Sequence, residues 1–147
     1  MEMKKIFYLV LFVFLGKASI GQDVVNIESL ITKGENLTFI VDSTYSEINE
    51  EIEVPQDSSY ILINSKEFII KDGRLLNKEA PTKTYSLGSK LVELGKEEGL
   101  IVYFAYLSYN NSAPNRNLKI FQSTEKNQFE IVVESDAYNS YFYCRMY

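Results

Sequence analysis

Four groups of side chains in this sequence have the types and spacing to do chemistry. The first is the alternating row Tyr141, Tyr143, Arg145 and Tyr147. Tyrosine brings apolar area and a hydroxyl at little conformational cost, which suits binding surfaces. With Arg145 among them, the row would offer a protein-binding face or a platform for sugar rings, although the absence of Trp counts against sugars. The same residues would equally cover one side of a sheet, where aromatics are favoured for packing alone. The second group is the acidic run Glu47, Glu50, Glu51, Glu53 and Asp57, with Asp42 upstream. Paired carboxylates can serve as acid and base on a glycoside or as oxygen ligands for Ca²⁺. No EF-hand loop accompanies them, however, and charge runs usually solvate a surface. Third, Ser123 and Lys126 match S-x-x-K formally, but that chemistry needs a helix start and this pair falls on an expected turn. Fourth, Cys144 lies between Phe142 and Met146 on an apolar face, which predicts a buried, inert thiol.

Composition narrows the chemistry further. The chain has 147 residues, 15 Lys+Arg against 20 Asp+Glu, one Cys, and neither His nor Trp. Without His there is no Ser-His or Cys-His nucleophile pair and no imidazole-ligated metal. One Cys allows no internal disulfide and no multi-cysteine metal site. A net charge of −5 argues against nucleic acid as a partner. No cofactor or metal is expected.

The N-terminus predicts export. Lys4 and Lys5 precede the apolar run Ile6–Leu15, and Ser19 and Gly21 stand at −3 and −1 of a cut before Gln22. A basic head, a short apolar centre and a small-residue exit make a secretory signal peptide over residues 1–21. The run is half the length of a spanning helix, so no stable membrane span is expected after cleavage. Removing Lys4, Lys5, Lys17 and Glu2 with it leaves 126 residues with 12 positive and 19 negative charges, a net of −7. An exported domain without disulfides, from a chain with 12 Lys to 3 Arg, suggests a secreted or periplasmic bacterial protein.

The elements that must position these groups follow from periodicity. Val24, Ile27, Leu30 and Ile31 have helical spacing and Gly34 ends it. Residues 37–42, 60–64, 68–71 and 74–77 read as strands, with Asp72-Gly73 as a type I′ turn. Residues 43–54 fit a helix start or a strand. Leu87, Leu91, Val92 and Leu94 predict an amphipathic helix from about Ser86 to Glu98, ended by Gly99. Residues 100–109 are apolar on both faces, as in a strand covered on each side. Strands at 118–122, 129–134 and 140–147 complete a C-terminal β-meander.

The expected fold is therefore α+β: a single domain over 22–147, mostly antiparallel sheet, with one or two short helices. An eight-stranded outer-membrane barrel would need strands of about 10 residues with an apolar outer face throughout; the short strands and Arg145 speak against it. The functional expectation is an exported, acidic, non-enzymatic module that binds a protein or other ligand through its tyrosine-rich sheet surface. The alternatives are a small glycan hydrolase using the Glu47–Asp57 carboxylates, or an inhibitor or immunity-type protein for a basic target.

Overall fold

The computed structural model describes residues 24–48, 50–54, 59–71, 82–109 and 112–147. The signal segment, Asp57, and the expected 74–77 strand with its Asp72-Gly73 turn lie outside the described residues. Among the described residues, one short helix, α1 (Ile27–Thr32), leads into ten strands. These are β1 (Leu37–Ser46), β2 (Glu51–Glu53), β3 (Tyr60–Ile63), β4 (Glu67–Lys71), β5 (Thr82–Leu87), β6 (Val92–Glu97), β7 (Leu100–Ser108), β8 (Arg116–Ser123), β9 (Phe129–Glu134) and β10 (Asn139–Met146).

The strands close on themselves. Hydrogen bonding runs β1–β3–β4–β5–β7–β8–β9–β10, and β10 pairs back onto β1 from Phe39↔Met146 to Ser46↔Ser140. All pairings are antiparallel. β2 and β3 share one edge of β1, and β5 and β6 share one edge of β7. The architecture is thus an eight-stave up-and-down barrel in which two staves are each broken in two. This corrects the expected α+β class: the protein is an all-β barrel with a six-residue helix at one end. Closure leaves the principal staves without a free edge, the stable solution for an antiparallel meander of this size.

Period-two alternation decides what lies inside. Leu37, Phe39 and Val41 face in from β1, Ile61 and Ile63 from β3, and Phe68 and Ile70 from β4. Ile101, Tyr103, Ala105 and Leu107 do so from β7, and Leu118 and Ile120 from β8. Cys144 joins this cluster from β10, as its spacing predicted, and burial raises its thiol pKa well above the ordinary value. The interior is apolar, whereas a membrane barrel has a polar lumen. The outer wall carries the ion pairs Lys119–Glu134 and Arg145–Asp42. Among the described residues, no helix is long and apolar enough to cross a membrane.

The second expected helix does not form. Residues 86–98 instead belong to β5, a four-residue break and β6. Leu87 and Leu91 both pack on the core, but their spacing comes from an interrupted strand rather than a helical turn. At the break the Gly88 N–H donates to the Tyr106 carbonyl at 2.7 Å, and the Tyr106 N–H donates to Ser89 Oγ at 2.9 Å. Only glycine fits at 88, because a Cβ there would stand 2.9 Å from Pro114 Cγ. Gly99 is not a helix stop either. Glu98 (φ 51°) and Gly99 (φ 77°) join the paired residues Glu97 and Leu100. Positive φ at both central positions is the two-residue hairpin geometry that matches strand twist. In the ambiguous stretch 43–54, residues 43–46 end β1 and Glu51–Glu53 form β2.

The helix at 27–32 forms as its spacing predicted. Asn26 caps it, its side chain accepting from the Ser29 N–H at 2.9 Å, and Ile27 and Ile31 are buried in the barrel core. Polar bonds hold it as a floor. Glu28 Oε2 accepts from the Glu93 N–H at 2.7 Å, and Gln122 Nε2 donates to the Val25 carbonyl at 2.8 Å. The Tyr103 hydroxyl donates to Gln122 Oε1 at 2.9 Å and itself receives the Ile27 N–H. Tyr103 has no exposure, and burial pushes its phenol up to about 12. Tyr103→Phe should lower the unfolding free energy by about 1–3 kcal/mol, because it strands two buried partners. Urea unfolding of both proteins measures this; equal midpoints would show that the hydroxyl does not hold the floor.

Candidate functional site: the open end of the barrel

The end opposite α1 holds a cavity of about 510 Å³. Its inner wall is made by Thr44, Ile70, Tyr85, Val133 and Phe142, and its rim by Ser46, Lys83, Tyr109, Arg116, Tyr138 and Ser140, with neighbouring turn residues. Alternation and register place each of these. Lys83 pairs with Ile70 across β4–β5 and Arg116 with Leu107 across β7–β8, so each cation shares a face with an inward residue. In β1 a bulge between Val41 and Ser43 shifts the register, turning Thr44 toward the cavity opposite Phe142.

The aromatic rings are ordered. Phe68 and Tyr85 lie 5.9 Å apart, Tyr85 and Tyr109 5.3 Å apart, and the Arg116 guanidinium carbon is 6.0 Å from the Tyr109 centroid. This chain of contacts runs from the buried core at Phe68 to a cation at the rim. Burial raises the Tyr85 phenol pKa; Arg116 opposes the rise, and Tyr109 and Tyr138 add to it. The Tyr85 phenol is therefore a neutral donor and acceptor in the cavity.

The rim is held by short-range bonds. Ser112 Oγ donates to the Tyr109 carbonyl at 2.7 Å, and Asn115 Oδ1 accepts the Tyr109 N–H at 3.3 Å. Across the mouth, Ser135 Oγ donates to the Tyr138 carbonyl at 2.7 Å. These turns fix Tyr109 and Tyr138 at the edge of the cavity. Lys83 and Arg116 are the charged groups among its described lining residues, which include no carboxylate.

The residues singled out from sequence lie mostly elsewhere. Tyr141 and Tyr143 point to the outer wall, opposite Phe142 and Cys144 as alternation required, but both are buried. They cluster there with Val132, Tyr45 and Phe121. Tyr141 also reaches the rim, its hydroxyl 3.5 Å from Glu47 Oε2. Arg145 Nε donates to Asp42 Oδ1 at 3.1 Å. Tyr147 is 90% exposed beyond the end of β10. The four residues therefore do not form one open surface.

The described members of the acidic run, Glu47, Glu50, Glu51 and Glu53, follow the end of β1 and run into β2. Glu47 ties the β9–β10 turn to β1 by accepting the Asn139 N–H at 2.8 Å, while Glu50 and Glu51 are exposed. Among the described residues, no group of three or more metal-ligating side chains occurs. Ser123 lies at the end of β8, where its Oγ accepts the N–H groups of Glu125 and Lys126; it shapes a turn and activates nothing.

Sequence reasoning missed Lys83, Tyr85 and Arg116. The signal for Arg116 was available: carrying the Leu118, Ile120, Gln122 alternation back one step puts a charge on an inward face. Compared with family models, curated proteins and solved structures, the chain matches none.

Proposed function

We propose that the protein is an exported binding protein that holds one small, largely apolar molecule in the open end of its barrel. The observation that carries this is the cavity of about 510 Å³ above a sealed apolar floor. Eight-stranded barrels are just wide enough to fill with side chains or to take one small ligand. Here the side chains fill the floor half and leave the other half open. The volume and the mix of aromatic walls with a few convergent polar groups are those of small-molecule sites. A hydrolase reading draws no support from the lining, whose described residues offer no carboxylate pair and no histidine.

The test is titration with the neutral fluorophore N-phenyl-1-naphthylamine. Its emission should rise to saturation at one molecule per chain. Ser140→Trp is the matching variant, since Ser140 pairs with Ser46 and Val133 on the inward face and a larger side chain there fills the mouth. At least tenfold weaker binding is expected, with an unchanged circular dichroism spectrum. Absence of saturable binding to the wild-type protein would remove the proposal.

A further inference from the structure

Resting on that reading, we infer that the ligand is a monocarboxylic acid with an apolar body, held with its carboxylate at the rim against Arg116 and Lys83 and its body inward against Tyr85 and Phe142. Three observations point to this. First, the polarity of the cavity is graded: Tyr85 and Phe142 lie deeper on the inward face, while Lys83, level with Ile70 and one inward position beyond Tyr85, and Arg116, one inward position beyond Leu118, stand nearer the mouth. Second, neither cation forms an ion pair with a described residue, whereas Lys119 and Arg145 on the outer wall are paired at 3.3 and 3.1 Å. In a chain with an excess of five acids, the described lining around these two cations thus carries no carboxylate.

Third, Arg116 is pre-positioned. Its Nη1 donates to the Asn115 carbonyl at 3.2 Å, and its guanidinium lies over the Tyr109 ring. Asn115 is itself fixed, its N–H donating to the Leu107 carbonyl at 3.0 Å. A guanidinium held in this way keeps other N–H groups for a planar acceptor, and a carboxylate matches that fork. Burial of the remaining walls favours an apolar body over a free inorganic anion, which would leave Tyr85, Ile70 and Phe142 without contacts. Burial raises the Tyr85 phenol pKa, so that side chain adds no repelling charge.

The experiment displaces bound N-phenyl-1-naphthylamine with matched pairs, decanoate against decan-1-ol and 4-phenylbutyrate against 4-phenylbutan-1-ol. In the wild-type protein each acid should compete at least tenfold better than its alcohol at low ionic strength. Arg116→Gln should bring each pair within about twofold, the acid-to-alcohol ratio being taken within each variant, and Lys83→Gln should narrow the gap partly. Lys96→Gln, which removes a charge from the exposed strand β6, should leave the preference intact. Equal competition by acid and alcohol in the wild-type protein would overturn this inference and leave the cavity reading standing. Failure of the fluorophore to bind would overturn both.

Discussion

Raising the pH from 5 to 9 should weaken the fold by on the order of 4 kcal/mol, and Glu130→Gln should abolish most of that loss. Glu130 points outward from β9, between Phe121 on β8 and Tyr143 on β10, yet only 3% of it is exposed. Burial pushes its carboxyl up to about 8 from the ordinary 4.5. The folded state therefore holds a proton that the unfolded state has released between those two values. Stability is fully present below pH 4.5, declines as pH rises, and reaches its lower plateau above about 8. The chain has no histidine, so no imidazole titration overlaps that window. Urea unfolding of wild type and variant at pH 5, 7 and 9 decides the matter. The two should agree near pH 5, and the variant should be the more stable at pH 9. A flat wild-type profile, or parallel profiles, would show that Glu130 is not the group that titrates.

Phe39→Ala should cost about 3–5 kcal/mol. Phe39 is fully buried and packs edge-on against Phe129, with ring centroids 4.9 Å apart. Its backbone pairs with Met146 of β10 on one side and Ile61 of β3 on the other. Truncation would therefore open a void at the seam that closes the barrel, where both neighbouring strands would have to move to fill it. Phe39→Leu keeps most of the volume and should cost less than half as much. Equilibrium unfolding of the pair at pH 6 provides the comparison. Similar small losses for both would mean that the seam relaxes around the missing ring.

Much of the local structure was legible in the sequence, and the closure was not. The spacing of Val24, Ile27, Leu30 and Ile31 and the stop at Gly34 specify α1 locally, because a helical face involves residues within a turn or two. The alternation in β10 likewise told inward from outward residues. Alternation does not name a strand's partner, so the β1–β10 pairing had no local signature. The expected helix at 86–98 failed because Leu87 and Leu91 straddle a four-residue strand break whose cause, the packing of Gly88 on Pro114, lies across a hairpin. The tyrosine row illustrates a different limit. Its direction followed from alternation, but whether Tyr141 and Tyr143 face solvent depends on the tertiary cluster with Tyr45, Phe121 and Val132. The cavity was hidden for the same reason, since Lys83, Tyr85, Arg116 and Tyr138 come together only when the strands close.

The seam between β1 and β10 also sets the order of events in folding. Its two strands are held together by contacts as distant in sequence as Asp42 and Arg145, 103 residues apart. No shorter chain emerging from a ribosome can make that pairing, so the barrel cannot close until β10 has been synthesised. Non-local pairing of this kind is slow, because loop-closure entropy must be overcome before any contact rewards it. For the exported protein proposed above, that delay would have a use: the polypeptide would stay extended enough to be threaded across a membrane, and would become a container only once the whole chain had arrived.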